Sequence, residues 1–378
     1  MLETIEAWIK ENNEHFIDLY RKLHDLAEVS WKEKQTTAFL CQEIGKMGFS
    51  YKTITDQTGV AAVWDEKLEG PTVALRADID ALYQHVDGEW KANHSCGHDA
   101  HMTMLLLTMR CLKEIGFTPK GRLKFIFQPA EETGQGAKLL IEKGVVDDVD
   151  YLLGIHLRPV QEMPYGMASA AIYHGATVQL TGKIRGEQAH AARPNLGINA
   201  VDSLAAIIHA VNAVKVDPTV PMSAKVTKAQ AGGGNLNIIP DEAHFGIDLR
   251  AQTNEAMTDL IDKVTKAVLY AGGANGAQVE VETASRTAAA IPNAFMERIV
   301  GEAIGEVLGP SAVSPPPVTP GGEDFHFYMA ERGHIAATMV GLGSDLKPGL
   351  HHPKMAFNLA SLQDGVAILA TSTIKLFA

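Results

Sequence analysis

The sequence predicts an α/β protein: a domain with a mixed sheet flanked by helices, carrying an inserted ferredoxin-like α+β domain. Three observations carry this. Apolar runs at Val60–Trp64, Thr72–Leu75, Leu123–Phe127 and Tyr151–Ile155 alternate with helical patterns at Ala100–Ile115 and Gly136–Lys143. Strands that are apolar throughout and alternate with helices belong to a sheet buried on both faces. From Ala176 the period changes, with Val178, Leu180 and Gly182 alternating with Gln179, Thr181 and Lys183, so one face of that strand is wet. Finally, 378 residues exceed one ordinary core, which predicts two domains.

Taken in order, residues 3–47 read as two amphipathic helices broken near Glu28-Val29-Ser30. The buried strands and helices above follow. In the insert, the strand from Ala176 precedes a helix on which Val201, Leu204, Ala205 and Ile208 share a face. Strands around Val226 and His244–Leu249 come next. A helix capped by Thr253, with Met257, Leu260, Ile261 and Val264 on one face, stops at Gly272-Gly273. The alternating strand Val279–Glu282 completes a β-α-β-β-α-β order, the split motif of ferredoxin-like domains. A helix around Phe295–Val307, the Pro315–Pro317 loop, a strand around Ala336–Val340 and a closing helix from Leu359 return to the first style. The expected domains are residues 1–170 with 287–378, and an insert at 171–286.

Composition narrows the function. Hydrophobic content of 46% and charged content of 21% are those of a globular domain. A net charge of −12, with no Lys/Arg cluster, argues against nucleic acid as a partner. No run approaches about 18 apolar residues, so no membrane span is expected. Met1-Leu2-Glu3-Thr4-Ile5-Glu6 has neither a basic start nor an apolar run, so no signal peptide is expected and the default location is the cytoplasm. Cys41, Cys96 and Cys111 form no disulfide framework, and Cys41 and Cys111 read as inert core thiols in amphipathic helices.

The chemistry concentrates in His94-Ser95-Cys96-Gly97-His98-Asp99-Ala100-His101, which packs a thiol, three imidazoles and a carboxylate into eight residues. Cys and His are the borderline-soft ligands of Zn²⁺, Mn²⁺, Co²⁺ or Ni²⁺. Four further polar segments sit where apolar strand patterns end or in a loop: Arg76-Ala77-Asp78-Ile79-Asp80, Gln128-Pro129-Ala130-Glu131-Glu132, His156 within Gly154–Pro159, and His351-His352-Pro353. Ligands of open α/β sheets gather at the carboxyl ends of strands. Each segment alone has a bland reading: a helix N-terminal charge pair for the two glutamates, a core histidine for His156, a surface loop for His351-His352. Their joint occurrence favours a metal site.

The order Arg-Ala-Asp-x-Asp-Ala-Leu, Cys-Gly-His-Asp-Ala-His, Gln-Pro-Ala-Glu-Glu, Gly-x-His, Gly-Glu-Asp-Phe and a late His resembles the aminoacylase/carboxypeptidase family of two-metal amidohydrolases. The Cys-Gly-His-Asp version is similar to hippurate hydrolases, bacterial N-acyl-amino-acid amidohydrolases and plant indole-acetyl-amino-acid hydrolases. The similarity runs from about residue 15 to 375. It implies two divalent ions bridged by Cys96 as thiolate, one completed by Glu132 and His351, the other by His98 and His156. His351 is preferred to His352 because the family's histidine stands two residues before proline. Glu131 would be the general base for a metal-activated water that attacks the amide of an N-acyl amino acid. His190, in Gly186-Glu187-Gln188-Ala189-His190, would stabilise the oxyanion, often from the partner subunit of a homodimer. Asn237 and Arg250 would grip the substrate carboxylate. Asp78, Asp99 and His101 would orient imidazoles, and Glu323-Asp324 would hydrogen-bond near the metals. Leu82-Tyr83-Gln84-His85 and Trp90 depart from the family's usual run, and Gly232-Gly233-Gly234 loosens the lid loop.

Two other classes compete. A Cys/His nucleophilic hydrolase leaves Glu131-Glu132, His156 and His351 unexplained. A non-catalytic metal or solute binder has no need of Glu131. Within the enzyme class, a dipeptidase or carboxypeptidase presents the same amide and carboxylate and is the runner-up.

Overall fold

A computed structural model describes residues 1–65 and 69–378. The N-terminal stretch forms three helices where two were expected: α1 (Leu2–Glu11), α2 (Asn13–Asp25) and α3 (Lys34–Lys46). The extra break falls at Asn12, whose side chain turns back to donate to the Trp8 carbonyl at 2.8 Å. There follow β1 (Ser50–Thr53), β2 (Val60–Asp65), β3 (Thr72–Asp78), the hairpin β4 (Leu82–Val86) and β5 (Glu89–Asn93), α4 (His98–Glu114), β6 (Arg122–Gln128), α5 (Gly136–Glu142) and β7 (Tyr151–Pro159). The short strands β8 (Ala168–Ser169) and β9 (Tyr173–His174) lead to β10 (Ala176–Arg185) and β11 (Ala189–His190). Next come α6 (Ala200–Ala213), β12 (Met222–Ala231), β13 (Ile238–Ile239), β14 (Glu242–Ala251), α7 (Asn254–Gly273) and β15 (Gln278–Thr287). The chain closes through α8 (Ala294–Leu308), β16 (Val313–Ser314), β17 (Val318–Thr319), α9 (Phe327–Glu331), β18 (Ala336–Leu346) and α10 (Ser361–Leu376). Among the described residues no helix is long and apolar enough to cross a membrane.

Contacts divide the chain into two compact units, Met1–Tyr173 with Ile291–Pro317 and Asp324–Ala378, and His174–Ala290 with Val318–Glu323. The return of Val318–Glu323 to the second unit is marked by no pattern in the sequence. The first unit is built on an eight-stranded mixed sheet ordered β1-β2-β6-β3-β7-β18-β8-β16, parallel across its β6-β3-β7-β18 centre. All seven residues of β3 are buried, as a strand covered on both faces requires. Helix α4 departs from the expected amphipathic pattern. From His98 to Leu112 every residue but Arg110 is buried, so the helix is sheathed on nearly every side. Cys111, on α4, is wholly buried, whereas Cys41 is only partly covered.

The second unit is a four-stranded antiparallel sheet ordered β12-β14-β10-β15, with α6 and α7 against one face. Counted within the unit, that is the ferredoxin-like order 2-3-1-4. Its core, centred on Val178, Leu180, Phe245, Ile247, Leu260 and Val264, is separate from the first. Thr253 caps α7, its side chain accepting from the Ala256 N–H at 3.1 Å.

Candidate metal centre

The candidate residues of the first unit converge at the carboxyl ends of its parallel strands, where open α/β sheets bind ligands. Gly97 starts the assembly. Its φ of 91° is a left-handed turn open to glycine, and it tips the chain from Cys96 into α4. His98 thereby becomes the first residue of a buried helix, its Nδ1 2.9 Å from the Asp80 carbonyl oxygen. Glu131 and Glu132 follow β6 in a single tight turn entered through Ala130, also left-handed at φ 54°. The turn is pinned from two sides. The buried Glu33 carboxylate accepts from the Ala130 N–H at 2.9 Å, and Asp80 accepts from the N–H groups of Glu131 and Glu132 at 3.2 and 3.1 Å.

His156 does not end its strand. The apolar run stops at Ile155, but β7 continues to Pro159 because its ladder with β18 runs on through His156, Leu157 and Arg158, and the buried Arg158 is paired locally with Glu162. His156 is mid-strand, with Nδ1 2.7 Å from the Leu157 carbonyl oxygen and Nε2 3.6 Å from Cys96 Sγ. Asp78 likewise closes β3 instead of following it, and accepts from Arg76 at 2.6 Å and from His101 at 2.7 Å. Arg76 also donates to Asp324 at 2.9 Å and to Gln128 at 2.8 Å, so the Glu-Asp motif does hydrogen-bond beside the donors. Asp99 meets His24 at 2.7 Å.

Several groups of potential donors lie with their atoms within 4.8 Å of one another, Asp78-His98-His101 and His98-Glu131-Glu132 among them; two of these groups, the triads Cys96-His98-His156 and Cys96-Glu132-His351, match the expected ligand sets and share Cys96. His352 is absent from them; its Nδ1 instead accepts from the Lys354 N–H at 3.1 Å. Two donors are buried polar atoms that make no hydrogen bond, His98 Nε2 and Glu132 Oε1. Such atoms cost roughly 1–3 kcal/mol each when nothing pairs them. Electrostatics point the same way. Burial, then Glu132, pushes the Cys96 thiol well up, and burial, only partly offset by His98, pushes Glu132 to about 7. A thiol, a carboxyl and imidazoles crowded out of water fit divalent cations, which favour the deprotonated forms of such ligands. His94 is buried with neither ring nitrogen hydrogen-bonded, and burial holds it down to about 4.

In the second unit, His190 and Asn237 are neighbours: β11 and β13 pair antiparallel, and the Ala191 N–H donates to the Asn237 carbonyl at 2.9 Å. Both residues are exposed. Arg250 lies on β14 with its fork taken by Asp248, at 2.9 and 3.2 Å, and Nη1 on the Pro320 carbonyl at 3.1 Å.

Sequence reasoning missed Glu33, and gave no role of their own to Asp80, quoted in the Arg76–Asp80 segment, or to Gln84, quoted in the Leu82–His85 run. Glu33 acts only through folded contacts and carries no local signal. The hairpin that presents Gln84 did carry one, Asp87-Gly88, both at positive φ, flanked by short alternating runs.

Comparison with known proteins agrees with this arrangement. The profile of Peptidase family M20/M25/M40 matches residues 74–375. IAA-amino acid hydrolase ILR1-like 4 of Arabidopsis thaliana is 30% identical over 383 residues, covering 95% of this chain and 85% of that protein. N-acetyl-L-cysteine deacetylase of Bacillus subtilis is 30% identical over 366 residues, covering 94% and 85%. Among solved structures, a dinuclear metal-binding peptidase of the M20 family from Bacillus subtilis superposes with a TM-score of 0.82 at 24% identity, covering 97% of this chain and 99% of its own. Matched over most of its length by the profile and over nearly all of it by these relatives, the chain belongs to peptidase family M20/M25/M40.

Proposed function

We propose that the protein is a metal-dependent amidohydrolase that cleaves the amide bond of N-acyl amino acids. The observation that carries the reading is the pair of donor triads sharing Cys96, with Glu131 one residue from the Glu132 donor. Two divalent cations, Zn²⁺, Mn²⁺, Co²⁺ or Ni²⁺, would be held by Cys96, His98 and His156 and by Cys96, Glu132 and His351. When bound, they supply Lewis acidity, polarising the amide carbonyl and acidifying water.

The protein's own residues do the rest. Glu131 takes a proton from the attacking water and returns it to the departing amine. Its carboxylate is steadied by the Asp324 N–H, 3.3 Å from Oε1. The Asp80 clamp on the two N–H groups fixes Glu131 relative to Glu132, so base and ligand keep one spacing. For His190 as oxyanion donor, and for Asn237 and Arg250 on the substrate carboxylate, the support is the family resemblance. The reading carries a cytoplasmic location, supported by three free thiols, and a homodimer, which light scattering would test.

The two relatives described above act on acyl amino acids by name, which favours these over dipeptides as substrates. The test compares N-acetyl-, benzoyl- and indole-acetyl-amino acids with dipeptides, before and after chelation and on adding back each cation. Turnover should vanish on chelation and return with metal; turnover in metal-free protein would overturn the reading. Glu131→Gln should keep metal content and lose roughly 10²–10⁴-fold in kcat. Retained turnover would exclude Glu131 as the base.

A further inference from the structure

One side chain outside the donor set touches two of the three segments that supply the Cys96-Glu132-His351 triad. Gln84 Nε2 donates to the His351 carbonyl at 2.8 Å, while its Oε1 accepts from Ser95 Oγ at 2.8 Å and Asn93 Nδ2 at 3.0 Å. Asn93 Nδ2 also reaches the Pro353 carbonyl at 3.2 Å, and the His351 N–H donates to the Ser95 carbonyl at 2.7 Å. The hairpin β4–β5 thus ties the loop before Cys96 to the loop that carries His351.

His351 needs this more than the other donors. Its backbone sits at φ 63°, a left-handed conformation that costs a non-glycine residue about 1–2 kcal/mol. Its side chain is 53% exposed against 9% for Glu132, so packing does little to hold it. What holds it is the pair of backbone clamps, Ser95 on its N–H and Gln84 on its carbonyl. A carboxamide suits the second clamp because it donates and accepts at once; an ionised carboxylate of the same shape only accepts.

We propose that Gln84 is a positioning residue that locks His351 onto the Cys96 segment and so sets the cation affinity of the Cys96-Glu132-His351 site, leaving Cys96-His98-His156 untouched. The inference rests on the two-cation reading above. It adds a residue whose side chain touches neither metal nor substrate.

The test titrates metal-free, full-length protein with Mn²⁺ by calorimetry, and with Co²⁺ by absorption. Parent, Gln84→Glu, Gln84→Ala and His351→Ala are compared after circular dichroism shows each is folded. In Gln84→Glu the Ser95 and Asn93 bonds survive and only the His351 clamp is lost. In Gln84→Ala the clamp goes without a new charge. Both should keep one cation equivalent at parental affinity and weaken the other roughly 10- to 100-fold. Their Co²⁺ spectra should move toward that of His351→Ala while keeping the thiolate band. Parental affinity for both equivalents, or equal weakening of both, overturns the assignment of Gln84 alone. A parent that takes up no cation overturns the two-cation reading and this inference with it.

Discussion

Replacing Arg76 by methionine (R76M) tests whether the buried charge network supports the first unit. The Arg76 side chain is 1% exposed, and Asp78 and Asp324, both paired with it, are fully buried. Hydrogen bonds to charged groups contribute about 1.5–3 kcal/mol each, so the bonds to Asp78 and Asp324 alone contribute about 3–6 kcal/mol. Breaking one side of a buried ion pair costs about 3–5 kcal/mol, because the remaining charge stays out of water. Asp78 keeps His101, and Asp324 keeps Gln128 and the Ala137 N–H, which places the expected loss near 3 kcal/mol. The assay is urea unfolding of the chelated protein, so that cation binding adds no stability of its own. Tryptophan fluorescence reads the correct unit, since Trp8, Trp31, Trp64 and Trp90 all belong to the first. Adding D324N removes one stranded carboxylate, and the double variant should recover about 1 kcal/mol or more of the loss. A fluorescence transition for R76M within about 1 kcal/mol of the parent would refute the argument.

Two further outcomes are expected. Gly97→Ala forces a Cβ into a φ of 91° and to 3.1 Å from Leu157 Cδ1, so it should cost about 1–2 kcal/mol and reduce the metal retained through dialysis; full retention at parental stability counts against the Gly97 turn as the hinge of the site. Burial alone raises Asp364 to about 6, so the folded state holds its proton more tightly than the unfolded chain, and that advantage is lost as pH rises from about 4 through 6. Asp364→Asn should therefore gain stability over the parent at pH 7 and lose the gain near pH 4; a difference independent of pH across urea melts would contradict it.

What the sequence disclosed depended on whether the chemistry was written locally. Cys96 and His98 stand two residues apart, and the Gly between them announces the turn, so their grouping is legible from the order of residues. The ferredoxin-like unit was legible because its strands have one wet face and keep period two. His156 was assigned to the end of a strand because the apolar run stops at Ile155, and only the tertiary ladder with β18 carries β7 on through His156, Leu157 and Arg158. The third N-terminal helix turns on one side-chain bond from Asn12. Glu33 was illegible, and Asp80 legible only as part of its motif, for a related reason: each acts by accepting from backbone N–H groups of the turn at Glu131, and no pattern near either residue predicts that meeting.

The strand order has a consequence for synthesis on the ribosome. Four of the five donors, from Cys96 to His156, emerge early, yet β18 is the strand that lies against β7 in the sheet, and His351 follows it. Until that late stretch leaves the exit tunnel, the β7 edge beside His156 lacks its neighbour and only one of the two triads can close. On the two-cation reading, chains cut short before His351 would therefore lack one donor of the second triad.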